Sequence, residues 1–333
     1  MRNALWIYVL ICCSLNALAQ NAVRKSFEFL QVPTAARLAA LGGVNVSLTD
    51  RDINFVQFNP ALVGDTLSGV ASVNYQFYVA GIGNSSIVYA HDFARAGVIT
   101  FGVQHLSYGW ISSFDATGTE IGEFKAGETA ITISKAHQIG NFRLGASVKF
   151  ASSNLAGYRA NALLFDVGGV FVHPNKRLTV GLSVRNAGFR LSDYSSTSDT
   201  RLPVDVQVGT TFKPEHMPVR FSVTAYRLTS PVAYYDSLSG LPKPSTFDQV
   251  FRHLNFAGEI LVHRNVDLMV GYNYGVHQEL KLTDSGGGAG LTFGFSVRVR
   301  ALEFTCSRSG YVAGQAGYAF SLSQDINKLL RRR

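Results

Sequence analysis

Serine acylation, metal catalysis and thiol chemistry each need particular residues at particular spacings. An S-x-x-K site needs a lysine three residues after the nucleophile. No lysine of this chain has a serine in that position, and there is no K-T-G. The eight histidines (His91, His105, His137, His173, His216, His253, His263 and His277) are dispersed, and none forms an H-x-x-x-H pair. Cys12 and Cys13 sit in an apolar N-terminal run, which leaves Cys306 alone in the rest of the chain. A lone cysteine gives neither a disulfide framework nor a cysteine metal site. Gly286-Gly287-Gly288 falls in an expected loop, so it reads as a loop tip and not as a phosphate cradle. The expectation is a non-enzyme: no catalytic residues, no cofactor and no metal.

The ends point to export. Arg2 is a basic start, Leu5 to Leu15 is an apolar run, and Ala17-Leu18-Ala19 is a small-x-small cleavage site. That run is shorter than the ~20 residues a membrane-spanning helix needs. Residues 1–19 therefore read as a signal peptide. Charged residues make up 16% of the chain, below the ~25% usual in soluble domains. Glycine and aromatics are plentiful, and no long apolar window follows the leader. The net charge of +8 is scattered except at Lys328 and Arg331 to Arg333. We read 324–333 as a basic periplasmic tail and not as a nucleic-acid patch.

Period-two alternation dominates from residue 68 to 323 and places the strands. Residues 142–151 set Phe142, Leu144, Ala146, Val148 and Phe150 against Arg143, Gly145, Ser147 and Lys149. Residues 70–79, 178–185, 219–225 and 266–274 repeat the pattern. Segments of this length suit tilted strands crossing a bilayer, with aromatics such as Tyr75, Phe77, Tyr78, Tyr108 and Tyr318 near their ends, as interfacial girdles require. Short turns are expected near 94–96, 139–141, 173–176, 213–218 and 263–265. Longer loops are expected at 107–125, 153–160, 188–201, 229–249 and 275–287. The fold expected is all-β: a transmembrane outer-membrane β-barrel of about fourteen antiparallel strands with both termini periplasmic. Arg143, Lys149, Arg185, Arg220 and Arg298 would point inward, as would Asp166, Asp205, Glu259, Asp267 and Glu303. Mixed signs on one face favour a lumen closed by ion pairs, with a bare channel lining as the alternative.

Residues 20–67 alternate weakly. Pro33-Thr34 before a run of small residues predicts a short helix or tight turn ending at Gly42-Gly43, and Asn59-Pro60 favours a turn. The run Ala36-Arg37-Leu38-Ala39-Ala40-Leu41-Gly42-Gly43, followed by Phe58-Asn59-Pro60-Ala61-Leu62, resembles the N-terminal signature of the FadL-like outer-membrane barrels of Bacteroidetes. The longer wording from Phe27 to Gly43 is similar to the PorQ branch of that family, part of the type IX secretion system. The PorV branch shares the A-x-G-G and N-P-A elements. The resemblance implies that 20–67 enters the lumen as a plug, with fourteen strands around it. Arg37, Gly42, Gly43, Asn59 and Pro60 would be the plug motif, with Asn59 and Pro60 where the plug meets the first strand. The bland expectation for Arg37 is that it satisfies a lumenal carboxylate.

Two expected loops are apolar and aromatic, with Trp110 and Phe114 in one and Tyr234, Tyr235, Leu238 and Leu241 in the other. Such residues are enriched where partners dock. For a PorQ-like chain the resemblance implies a scaffold that anchors a PorZ-like surface protein. It would sit beside the PorU/PorV attachment complex, which joins cargo to lipopolysaccharide, in contact with outer-membrane lipid. The alternatives are a FadL-type transporter of hydrophobic small molecules and a PorV-like cargo shuttle. A transporter predicts a continuous apolar path and a kinked strand short of hydrogen bonds.

Overall fold

The computed structural model describes residues 25–195, 201–230, 245–280, 288–311 and 315–330. The wall begins with β1 (Val70–Phe77), β2 (Gly83–Phe93), β3 (Gly97–Phe114), β4 (Glu120–Ile139) and β5 (Phe142–Leu155). It continues through β6 (Tyr158–Val172), β7 (Leu178–Ser192), β8 (Asp205–Phe212), β9 (Val219–Ala225) and β10 (Leu254–His263). It ends with β11 (Val266–Asn273), β12 (Leu291–Val299), β13 (Leu302–Gly310) and β14 (Ala316–Asp325). Each strand pairs antiparallel with its sequence neighbour, and β1 pairs with β14 to close a fourteen-strand barrel. Closure removes the unpaired edges that an open sheet would present.

The alternation sorts the two faces as expected. In β1, Ser72, Asn74 and Gln76 are each about 1% exposed, while Phe77 is 53% exposed. The apolar set forms the outer belt and the polar set faces inward. The inner face is covered by residues 25–69, which pack against it without forming a strand of the wall. This segment contains α1 (Ala36–Ala40) and short 3-10 turns such as Ile53–Gln57 and Pro60–Leu62. Its apolar residues Leu38, Val46, Ile53, Phe55 and Phe58 share a core with Val98 of β3 and Ala257 of β10. Those two strands stand seven places apart in the fourteen-strand ring, on opposite sides. One apolar cluster therefore crosses the barrel.

Several expectations need correction. Residues 107–125 are not a loop: β3 and β4 continue as a tall hairpin whose turn is only 115–119. Trp110 and Phe114 lie on β3. The stretch 153–160 is a tight hairpin, with Ala156 (φ 53°) and Gly157 (φ 85°) between β5 and β6. The wall runs from Val70 to Asp325, starting and ending slightly later than 68–323, and Ile326–Leu330 forms a short helix. Asn59 and Pro60 are not at the junction with β1; the chain makes one further 3-10 turn, Asp65–Leu67, before it. The described chain starts at the loop end, where Lys25 bridges Arg201, and crosses the barrel to begin β1 at the short-turn end. Of the two ends of the described chain, the C-terminal one lies with the short turns. Residues 1–19, Tyr234, Tyr235, Leu238, Leu241 and Arg331 to Arg333 lie outside the described residues.

The close approach of segment and wall is built on glycine. A Cβ on Gly145 of β5 would lie 2.3 Å from the Pro60 carbonyl carbon, whereas one on Gly169 of β6 would meet nothing nearer than 3.5 Å. Overpacking of this kind costs about 1–3 kcal/mol. Gly145→Ala should lower the temperature of the heat-induced mobility shift on a gel, and Gly169→Ala should leave it in place. Equal shifts for both variants would mean that the segment does not press on the wall.

Candidate functional site

α1 carries Arg37 into the barrel, because its N-terminal amide is fixed to the wall: Ala36 N donates to Ser321 Oγ at 2.8 Å. Its C-terminal end turns at Gly42 (φ 83°) and Gly43 (φ 89°), a backbone region that costs glycine little. Gly42 N then donates to Thr292 Oγ1. Arg37 reaches Glu259 of β10 at 2.8 Å and Asp50 at 2.6 Å, with Asp52 at 3.6 Å. Arg220 of β9 closes the group on Glu259 at 2.5 Å and on Asp50 at 3.4 Å. Arg37 thus satisfies a lumenal carboxylate, and three carboxylates share two guanidinium groups. Burial alone would raise Asp50, but Arg37 and Arg220 outweigh it and hold its carboxyl well below the usual range. Asp52 goes the other way: burial pushes it up to about 6, only partly offset by Arg37.

The Asn59-Pro60 turn is the second fixed point. Asn59 Oδ1 accepts from Ala61 N, and Asn59 Nδ2 donates to Val46 O at 2.7 Å. One side chain thereby ties together two stretches of the segment, and Ser183 Oγ of β7 donates to Phe58 O beside it.

Two separate cavities flank this packed middle. The loop-end cavity has a volume of about 320 Å³ and is walled by Phe29, Val32, Pro33, Tyr78, Ile82, Leu106, Tyr226 and Tyr311, with Gly42 and Gly43 also on its lining. Apolar atoms dominate its surface. Polar groups also stand on its lining, Glu28, Asp205, Gln207 and Arg227 among them; Tyr226 Oη donates to Asn273 Oδ1 at 2.6 Å, and the Tyr78 and Tyr311 rings lie 4.7 Å apart. Burial pushes the Tyr226 hydroxyl up to about 12, so it stays a neutral donor. The short-turn-end cavity has a volume of about 660 Å³ and is charged, lined by Arg37, Asp50, Asp52, Arg220, Asp267 and Arg298 among others. The two share no lining residue.

Of the expected site residues, Arg37, Gly42, Gly43, Asn59 and Pro60 all lie in the buried segment. Trp110 and Phe114 do not join them; they stand on the tall hairpin at 63% and 59% exposure. The expectation missed Tyr226 and Tyr311, and it read Tyr78 as an interfacial girdle. Strand parity finds all three: Tyr78 continues the inward series 72, 74, 76, Tyr226 continues 220, 222, 224, and Tyr311 continues 305, 307, 309. Among the described residues, no group of His, Cys, Asp and Glu is arranged to hold a metal ion.

The chain is similar in structure to a FadL homologue from Pseudomonas aeruginosa, with TM-score 0.47 and 14% identity over 88% of this chain and 98% of that one. It is also similar to the CymD monoaromatic hydrocarbon channel, with TM-score 0.47 and 11% identity over 90% of this chain and 97% of that one. A deltaS2 mutant of the TodX monoaromatic hydrocarbon channel gives TM-score 0.48 and 11% identity over 88% and 97%. No protein-family model matches the chain, and no curated protein sequence does. At these identities the likeness concerns the fold alone.

The opposed carboxylates give a pH test. Because Asp52 titrates higher in the fold than in the free chain, its protonated form stabilises the fold. That stability is complete below about pH 4 and is lost as pH rises through about 6. The span is worth about 2 kcal/mol, allowing for the open cavity beside it. Asp52→Asn should flatten the stability profile between pH 4 and 6, read as unfolding midpoint against pH. An unchanged slope in that variant would mean that another group titrates there.

Proposed function

We propose that this outer-membrane barrel takes up hydrophobic small molecules at its loop end, with residues 25–69 acting as a plug. The loop-end cavity carries the reading. Ligand pockets are concave, mainly apolar sites of about 300–1,000 Å³ with a few fixed polar groups. A volume of about 320 Å³, walled by aromatic and aliphatic side chains with tyrosine hydroxyls among them, fits that description. With short turns on the periplasmic side, as in outer-membrane barrels generally, the cavity faces outward.

Of the two features expected of a transporter, one is present. β7 is broken at Arg185-Asn186, where the register against β6 shifts between Phe165 and Val167 and Asn186 adopts φ 57°. β8 pairs with β7 only from Leu178 to Arg185. The ladder between β7 and β8 therefore ends at the break, while β7 itself continues to Ser192. The continuous apolar path is missing, since the packed middle and the charged cavity lie below. A ligand entering from outside leaves sideways past β7, or the plug shifts.

Ile82→Glu places a charge in the cavity from a half-buried position outside the strands. Liposomes holding this variant should take up a fluorescent fatty acid at least about tenfold more slowly than those holding the unchanged barrel, as a buried unpaired charge dictates. The heat-induced gel shift should be retained. Equal uptake would overturn the reading.

The tall hairpin favours a second reading. Trp110, Phe114 and Ile121 are exposed on it, and Lys125 Nζ covers the Trp110 ring at 4.3 Å. Aromatic anchors of this kind suit partner docking, and the PorQ resemblance names a PorZ-like surface protein of the PorU/PorV complex as the partner. Replacing Trp110 and Phe114 by serine should release that partner in a mild-detergent pull-down while leaving uptake unchanged. Recovery of the barrel alone from unaltered membranes would exclude the scaffold.

A further inference from the structure

Beside the break in β7, a small cavity of about 10 Å³ lies between the wall and the buried segment. Its lining includes two cations, Lys149 of β5 and Arg185 of β7, with the neutral groups Gln57, Gln104 and Thr132, and no carboxylate. Arg185 is only 2% exposed. Its Nη2 donates to Leu30 O at 3.0 Å and to Gln57 O at 3.2 Å, and the Phe58 ring covers the guanidinium at 4.0 Å. Its Nε and Nη1 have no hydrogen-bond partner. Among the described residues no carboxylate forms an ion pair with it.

Two acids lie near Arg185, Asp166 and, opposite it on β8, Asp205; neither forms an ion pair with it, and Asp205 Oδ2 accepts from Gln207 Nε2 at 2.6 Å. Asp166 accepts from Lys149 Nζ at 2.9 Å and from Asn186 N at 2.7 Å. Lys149 also donates to Asn186 Oδ1 at 2.9 Å, which leaves one of its three ammonium hydrogens unused. A buried guanidinium with two N–H groups unbonded and no ion pair is among the costliest arrangements in a protein interior. A water molecule would accept these hydrogen bonds but leave the charge uncompensated. The space suits an occupant about the size of one water, which excludes polyatomic anions.

We propose that this cavity binds a single halide ion, chloride in ordinary media, held by the free N–H groups of Arg185 and by Lys149. The ion neutralises Arg185 and joins β5 and β7 to the segment, since Arg185 itself grips the backbone at Leu30 and Gln57. The site is independent of the apolar cavity and of what that cavity takes up.

The test uses the full-length barrel in detergent. Thermal unfolding midpoints are compared in sodium chloride, sodium bromide and sodium gluconate at equal ionic strength, which removes general screening. The halides should raise the midpoint by a few degrees over gluconate, increasing with the logarithm of halide concentration, as ligand binding to the folded state requires. Arg185→Gln should abolish the difference. Crystals grown in bromide should show an anomalous peak at hydrogen-bond distance from Arg185 Nε or Nη1. Equal midpoints in gluconate and halide would overturn the proposal, as would an undiminished difference in the variant. So would bromide found only on the surface, with a water in the cavity. Should Arg185→Gln fail to fold, the bromide peak in the unchanged protein decides by its presence or absence.

Discussion

A barrel whose outer face is apolar turns a ring of amides, hydroxyls and charges inward, and each buried one needs a partner. Residues 25–69 need partners too, because a segment built of single helical turns cannot satisfy its own carbonyls. Each set supplies the other. Asn255 donates to Leu41 O and Val44 O, Asn273 to Gly42 O, Thr292 to Ala40 O and Thr179 to Ser47 O. Five carbonyls that a longer helix or a sheet would occupy are taken by side chains of four wall strands. Removing the segment would orphan both sets, at about 1–3 kcal/mol for each buried group left without a partner. The irregular path of the segment is therefore as determined as a strand would be.

That exchange divides the interior by chemistry. Around Asn59, where side chains meet the carbonyls of the segment and of the wall, the middle is packed. At the short-turn end, three carboxylates meet Arg37 and Arg220, and the balance of burial against charge splits Asp50 from Asp52. At the loop end, Phe29, Val32 and Pro33 of the segment face Tyr78, Leu106 and Tyr311. The exchange continues there, since Gln104 donates to Phe29 O and Asn84 to Pro33 O. The apolar space lies where these rings and aliphatic side chains face one another.

Strands were legible because each inward residue is polar and each outward one apolar, a local pattern that needs no knowledge of the partner. The pattern failed where its cause lapses. At Ser107 to Trp110 the register of β3 against β4 shifts, so Tyr108 and Gly109 break the alternation and a continuous hairpin reads as a loop. At Ala156-Gly157 the turn uses alanine at positive φ in place of the Asn-Gly that announces such hairpins. The run from Ala36 to Gly43 was visible as wording, and Arg37 was matched to a carboxylate of unknown position. Its partner Glu259 stands 222 residues away, a pairing no spacing rule contains. Tyr226 and Tyr311 were missed although parity marks them, because each follows the last residue of its strand.

The two sides of the barrel differ in height, and this bears on how anything could leave it. β3 to β7 each run at least 14 residues, while β8 and β9 have 8 and 7. The step falls between β7 and β8, above Arg185. A strand edge left open there would expose unpaired amides, yet the start of the described segment lies beside the step: Lys25 bridges Arg201 and Ser26 N donates to Arg201 O at 2.9 Å. Phe27, Phe29 and Leu30 then pack on Ala160, Ala162 and Leu164 of β6, next to β7. Sideways passage from the loop-end cavity thus displaces a stretch held by that apolar cluster, by the backbone contact at Arg201 and by Gln104 and Arg185, which donate to Phe29 O and Leu30 O. Passage along the barrel axis would instead break the ion pairs of Arg37 as well as the bonds to the carbonyls of the middle. Among the described residues the sideways path breaks no ion pair, and that makes it the less costly.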